Sequence, residues 1–450
     1  MKQFRIALTI ILTLCMSAFT HKATAQFSGG DGSENNPYII TTAEQLAQLA
    51  TFVNTGNENY DYKYFKLGND IDLSAYQSGT GWTPIGGTPS EYGTYAFSGY
   101  FDGNSKKITG LYINNPNLDY AGLFGYLYDA TIKNLGVENV NIRGNDYVGS
   151  IAGKGSTSSA TFDHIDNCYS TGKVSGNENV GGIAGDGYLY IFYSFSTCEV
   201  SGNNYVGGIT GDFFGTINNC YSTGAVNGNN YVGGIAGRAR SIYIITYIGS
   251  ILKNSVALNP YVKGIGSYVG RITGIDGTYA NISNNAAYDG ILNSAGNTLW
   301  ERIGASDLDG ADMSLQAIKS DGTLGGRFTA DDGWTTQNGK LPGLFGKPVD
   351  MPTHLGGGTG IVETSSLAFP HVYPNPVNYE LKITNYEGGD TNKGINPLVE
   401  IYDVMGRRVA TVNTHPCADT ERSRSINVEF LPSGMYFLKI GNKTIKFVKQ

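Results

Sequence analysis

The sequence predicts an all-β fold: a parallel β-helix (β-solenoid) with a short N-terminal capping helix, followed by a small β-sandwich domain. The first observation behind this is a recurring seven-residue unit. It reads YVGSIAG at 147–153, NVGGIAG at 179–185, YVGGITG at 205–211, YVGGIAG at 231–237 and YVGRITG at 268–274, with a short form, YAGLFG, at 120–125. The second is the period. The closing glycines are as little as 26 residues apart, the length of a three-sided coil of roughly three short strands and their turns. Propeller blades, at about 40 residues or more, are too long, and the leucine spacing of leucine-rich repeats is absent. The third is composition: 63 glycines and 31 tyrosines in 450 residues, with 15% charged residues, the profile of a Gly-rich β protein.

At the N-terminus, Lys2 and Arg5 precede an apolar run at 6–16, and Ala23-Thr24-Ala25 follows. This reads as a secretory signal peptide over 1–25, cleaved before Gln26. The run is shorter than the roughly 18 residues needed to span a bilayer. The net charge of -7 argues against a nucleic-acid partner and against an anionic membrane surface.

Residues 26–119 read as an N-terminal cap and the first solenoid coils. Thr41-Thr42-Ala43-Glu44 forms a capping box, with the Thr41 hydroxyl and the Glu44 carboxylate satisfying free N–H groups. Leu46, Leu49, Ala50 and Val53 follow at helical spacing. Such a helix covers the open edge of the first coil, which would otherwise template aggregation. Strand-like segments lie at 62–67, 71–73, 97–101 and 107–113, with Asp102-Gly103-Asn104 as a tight turn. Asp70 and Asp72 flank Ile71 and read as the solvated face of a strand.

Residues 120–297 are the repeat body. Leu123, Ile151, Ile183, Ile209, Ile235 and Ile272 form one inward column, and Leu135, Cys168, Ser194, Cys220, Ser255 and Ala286 a second. The paired glycines suit corners where a Cβ would clash or φ must be positive. Asn145, Asn177, Asn203 and Asn229 stack as an amide ladder at turns that favour the left-handed region. Two coils separate Cys168 from Cys220, about 9.6 Å, too far for a disulfide. Cys198 sits in a different column. With Cys417, these cysteines read as small buried fillers.

Two columns carry functional candidates. Tyr147, Tyr205, Tyr231 and Tyr268, with Tyr120 before them and a break at Asn179, form a candidate ligand-binding stripe. Stacking between neighbouring strands explains the same column structurally. Asp186 and Asp212 fall one coil apart, with Lys154 and Arg238 in the flanking coils as expected neutralising partners.

Residues 298–350 lose the period and read as a C-terminal solenoid cap; 351–363, with its glycine run, reads as a linker. Asp307, Asp309 and Asp312 match half of a calcium loop but lack its remaining ligands. No metal or cofactor is expected. Residues 364–450 form a second domain of strand-like runs at 380–383, 398–402, 408–412, 426–430, 435–440 and 444–448, as in a β-sandwich.

The units YAGLFG and YVGGIAG, with N-C-Y-S-T-G at 167–172 and 219–224, resemble GLUG repeats of exported bacterial surface proteins, over about residues 30 to 345. The stretch FSGYFDGNSKKITGLYI at 97–113 is similar to the lead-in such proteins carry. This implies an adhesin-like or surface-structural role. The C-terminal segment resembles the type A C-terminal sorting domain of type IX secretion, found in Bacteroidota. The residues carrying that likeness are Pro374, Asn375 and Pro376 in YPNP, Asp403 and Gly406 in IYDVMGR, and Pro432, Gly434 and Tyr436 in LPSGMY. It implies passage through the type IX machinery, export across the outer membrane, removal of the domain, and release or attachment to surface lipopolysaccharide.

These readings converge on a non-enzymatic secreted or cell-surface protein. Adhesion, glycan or host/bacterial surface-protein binding, and surface scaffolding are its expected roles. The alternative is a polysaccharide-degrading lyase or glycosidase, since such enzymes use β-helices. Those sites need converging carboxylates, or carboxylates with Arg or Lys, on neighbouring coils. Here charges rarely recur in a column, and only His164, His354, His371 and His415 follow the signal peptide.

Overall fold

A computed structural model describes residues 26–357 apart from 88, 91–92, 158–160 and 244–246. Beyond these it describes 371–373, 380–384, 398–403, 407–413, 415–416, 424–428, 431–440 and 443–449. The signal peptide, Cys417, the end of the linker, and Pro374, Asn375, Pro376 and Gly406 lie outside the described residues. The chain divides into two compact units, Met1–Gly358 and Thr359–Gln450.

The first unit is a parallel β-solenoid of about nine turns. Successive coils stack in strict register: Ala152 on Ala184, Ala184 on Thr210, Thr210 on Ala236, and Ala236 on Thr273. The sequence led us to expect three strands per coil, but the coil after Asn203 has four: Asn204–Gly207, Thr210–Asn218, Tyr221–Ser222 and Val226–Asn227. The extra break comes at Thr223-Gly224-Ala225, where a Cβ on Gly224 would overlap the Cys198 carbonyl. Both predicted inward columns are buried throughout. Stacking an aliphatic residue on its own kind in every coil buries apolar area continuously, at about 25 cal/mol per Å². Cys168, Cys198 and Cys220 are free and buried, and burial pushes all three thiols up.

The corners differ from expectation in one respect. The left-handed residues of the repeat are Tyr120, Tyr147, Asn179, Tyr205 and Tyr231, with φ between 53° and 59°, and neither the paired glycines nor the ladder asparagines. The glycines are needed for close approach: a Cβ on Gly182, Gly208 or Gly234 would overlap the backbone carbonyl of the next coil. A second left-handed column runs Asn134, Asn167, Tyr193, Asn219, Asn254 and Asn284. Asparagine suits it because its short amide tolerates that region. The ladder at the predicted positions forms: Asn203 donates to Asn177 at 3.4 Å, and Asn229 donates to Asn203. At its lower end the partners are acidic, with Asn145 donating to Asp119 and Asn177 to Asp146.

Helix α1, Ala43–Asn54, is capped one residue later than the sequence implied. Thr42 is the N-cap and accepts from the Gln45 N–H at 3.3 Å, while the Gln45 side chain accepts from the Thr41 N–H at 2.8 Å. Its apolar stripe of Leu46, Leu49, Ala50 and Val53 joins the main core beside Phe27, Ile40 and Phe65.

The far end is built differently from a simple lid. Residues up to Ala311–Met313 add a last partial coil, pairing with Ala286–Tyr288. Beyond it the chain turns back along the outside of the solenoid. This returning arm carries Ile318, Leu324, Phe328, Trp334, Leu341, Leu344, Met351 and Leu355 into a second core against Phe195, Tyr221, Val256 and Leu258. Residues 351–355, expected as part of a linker, instead pack on the solenoid: Met351 and Leu355 are buried, and His354 bonds the Leu258 carbonyl at 2.7 Å.

The second unit contains two four-stranded antiparallel sheets. One holds His371–Tyr373, Glu380–Thr384, Arg424–Asn427 and His415–Pro416; the other holds Arg408–Asn413, Leu398–Asp403, Gly434–Ile440 and Lys443–Lys449. Ile401, Val428 and Leu438 are buried in this unit.

Candidate functional site

The tyrosine stripe forms, in two stacked segments. Ring centroids lie 5.2 Å apart for Tyr120–Tyr147, 4.7 Å for Tyr205–Tyr231 and 4.8 Å for Tyr231–Tyr268, all within 13° of parallel. At the Asn179 break, Lys154 lies over Tyr147 and Arg238 over Tyr205, each 4.2 Å from the centroid. Most ring faces of the stripe are thus spent on neighbouring rings and cations, and the Tyr205 hydroxyl accepts from the Arg238 guanidinium at 3.3 Å.

Beside the break lies the charged column, where Lys154, Asp186, Asp212 and Arg238 occupy successive coils. Lys154 pairs with Asp186 at 3.9 Å and Arg238 pairs with Asp212. Sequence reading missed Arg240, which reaches Asp186 at 2.5 Å and Asp212 at 3.3 Å. The signal was available: Arg240 lies two residues after Arg238, the spacing that returns to one face of an extended chain. Burial pushes the Asp186 carboxyl up to about 6, against the pull of Arg240. This cluster is a closed set of ion pairs.

The acidic run at 307–312 serves an arginine. In the last repeat Arg271 replaces the second glycine of the pair and is fully buried. It pairs with Asp312 at 2.7 Å and donates to the Asp309 and Gly310 carbonyls. The Asp309 carboxylate accepts from the Arg271 and Arg302 N–H groups. These carboxylates are engaged in anchoring the last partial coil.

A surface groove of about 330 Å³ with mixed chemistry lies where residues 344–349 of the returning arm pass along the flank. Three departures from the repeat build it. First, the predicted turn at 102–104 is instead a bulge within the continuous strand Tyr100–Thr109, with Asn104 and Ser105 left-handed. The bulge re-aims the residues after it, and Ser105 and Lys107 line the groove. Second, Gly136 lies directly under Tyr169, and a Cβ there would overlap the tyrosine ring. The ring therefore lies flat over the glycine, with its other face stacked on Phe195 at 5.0 Å. Third, the arm turns sharply at Phe345 and Gly346, with φ of 57° and 76°, held by the Gly346 N–H donating to Thr335 Oγ1. A left-handed phenylalanine is strained and persists only where its surroundings enforce it. Its ring sits 5.9 Å from that of Tyr169.

The polar end is tightly organised. Glu138 takes Lys107 Nζ on one oxygen and the Tyr169 hydroxyl on the other, both at 2.8 Å. Asp70 accepts from the Lys107 N–H at 3.0 Å. The Glu138 contact holds the Lys107 ammonium above its ordinary value. Burial, then Glu138, pushes the Tyr169 phenol up. At neutral pH both groups are fixed hydrogen-bond donors, and neither is a base.

Of the sorting-motif residues described, Asp403 accepts from the Arg407 N–H at 2.9 Å and pairs with its guanidinium at 2.8 Å. Tyr436 donates to the Pro432 carbonyl at 2.9 Å, and Gly434 begins the strand Gly434–Ile440.

Comparison with known proteins places these units. Residues 371–450 match the secretion system C-terminal sorting domain. A stretch of 146 residues, 31% of the chain, is 35% identical to a protein of Evansella cellulosilytica described as "Putative Gly-rich membrane protein", over 15% of that protein. Another of 158 residues, 35% of the chain, is 30% identical to Halomucin of Haloquadratum walsbyi, over 2% of its length. The chain thus spans a small part of the curated relatives it matches. Among solved structures, one described as "a putative immunoglobulin A1 protease from Bacteroides ovatus" superposes with a TM-score of 0.55 at 24% identity, covering 72% of this chain and 96% of that one. At that identity the likeness is one of fold. The sorting domain marks the chain for the type IX secretion machinery and for export to the cell surface or extracellular space.

Proposed function

We propose that this is a non-enzymatic exported protein acting in adhesion, which holds an extracellular polymer in the flank groove. The observation that carries this reading is the groove itself. It joins aromatic rings to a fixed set of donors and acceptors, at the place where three separate features break an otherwise regular repeat. Lys107 held charged and Tyr169 held protonated favour orienting a bound chain over transferring a proton within it. The likeness of the repeats to GLUG units supports a surface-structural setting, and lipopolysaccharide attachment after cleavage belongs to the same reading. Two experiments test it. The purified chain is screened on a glycan array and on a polysaccharide-degradation panel. Binding that falls in Lys107→Met is expected, and product release from any polymer overturns the reading. Removing residues 364–450 is expected to hold the protein in the periplasm; unchanged surface display overturns the sorting assignment.

A further inference from the structure

We propose, on the footing of the groove as a binding site, that its ligand is a linear neutral glycan, lying along the solenoid axis. Shape comes first. The lining runs from Asp70 to Thr197, across coils registered through Ile71, Ile108, Val137, Ser170 and Ser196. That is four inter-coil steps, roughly 19 Å at about 4.8 Å each, a length suited to a chain and not to a single small molecule.

Charge comes second. Two carboxylates, Asp70 and Glu138, face two ammonium groups, Lys107 and Lys347, so the lining is balanced. A polyanionic glycan gains no field from such a surface and meets two carboxylates in it. A neutral sugar chain finds acceptors and donors side by side for its hydroxyls. Phe345 and the outer edge of Tyr169 supply apolar contact for its C–H faces. Backbone comes third. The strand segment at Tyr169–Ser170 is paired on one side with Gly136–Val137 and on the other with Phe195–Ser196. No main-chain edge is free there to accept a peptide strand.

The test uses the full chain and three probe classes: neutral oligosaccharides (cellohexaose, laminarihexaose, mannohexaose), oligogalacturonate, and heparin fragments. Affinities are read at low salt and at about 0.5 M salt, where exposed charge interactions are screened. Expected is binding to a neutral probe, unchanged by salt, with a loss of about tenfold or more in Phe345→Ala and in Glu138→Gln. Thermal melts of both variants verify that they remain folded. Salt-sensitive preference for oligogalacturonate or heparin, lost in Phe345→Ala, overturns the neutral-glycan assignment and leaves the groove as the site. Neutral binding that survives both variants but falls in Tyr231→Ala overturns the groove and returns the site to the stripe. Binding to none of the three classes overturns both.

Discussion

Two aromatic columns run along the same solenoid and meet opposite fates. Tyr120, Tyr147, Tyr205, Tyr231 and Tyr268 repeat with the sequence motif, stack in two segments and remain half-buried or exposed. Tyr169, Phe195 and Tyr221 stack just as closely, at 5.0 and 4.9 Å, yet residues more than a hundred positions later cover them. The first column is regular, and its regularity explains it: each ring stabilises the next. The second is uneven, going from Gly136 to tyrosine, phenylalanine, tyrosine and Val256, and it carries both the second core and the candidate groove. In a repeat protein, regular positions hold the coils together, and departures from them mark where something else docks.

Substitutions sharpen this contrast, and the largest effect is expected at Tyr221. Its ring is fully buried among Phe195, Phe328 and Trp334, and its hydroxyl donates to the Pro342 carbonyl at 2.6 Å. Tyr221→Ala is expected to cost about 3–5 kcal/mol in chemical denaturation, while Tyr231→Ala in the stripe costs about 1 kcal/mol or less. Equal costs would erase the distinction between the columns. Arg271→Gly restores the repeat's own residue and removes the anchor of the last partial coil. A loss of about 2–3 kcal/mol is expected, with hydrogen exchange rising first at 302–312; protection unchanged there would show that the arginine is dispensable. Gly136→Ala forces the Tyr169 ring off its seat and breaks the Glu138 bond. The expected cost is about 1–3 kcal/mol, together with a lowered phenol pKa for Tyr169 by ultraviolet titration.

A further effect depends on pH. Burial raises the Asp186 carboxyl from 3.8 to about 6, so the folded chain holds a proton that the unfolded chain has released across that window. The stabilising contribution is complete below 3.8 and is lost as pH rises through about 6. The wild-type melting temperature is therefore expected to fall relative to Asp186→Asn as pH rises over this range; a widening wild-type advantage would reverse the assignment. The smallest effect is expected in the amide ladder, where Asn203→Ala removes bonds to Asn177 and Asn229 at a cost of about 1 kcal/mol.

Much of the solenoid is legible in the chain because its period is written there. The inward isoleucines stand two residues, and the ladder asparagines eight residues, before their closing glycines, and stacking in register turns those offsets into contacts. The left-handed corners at the tyrosines were not legible, since tyrosine has no preference for that region and only the coil's closure imposes it. Arg240 and Arg271 were individually visible, but their partners Asp186, Asp309 and Asp312 lie 38 to 54 residues away by chain. The groove was the least legible. Asp70, Lys107, Glu138, Tyr169 and Phe345 share no motif, and Phe345 reaches Tyr169 only because the arm turns back.

By itself, then, the sequence determined the solenoid, its inward columns, its helical cap and the strand pattern of its C-terminal domain. Each of these follows from periodicity or from local pattern. The tertiary structure alone decided which aromatic column is covered, which acids are paired and where a groove opens. Those depend on contacts between segments far apart in the chain, and no local pattern encodes where a returning arm comes to rest.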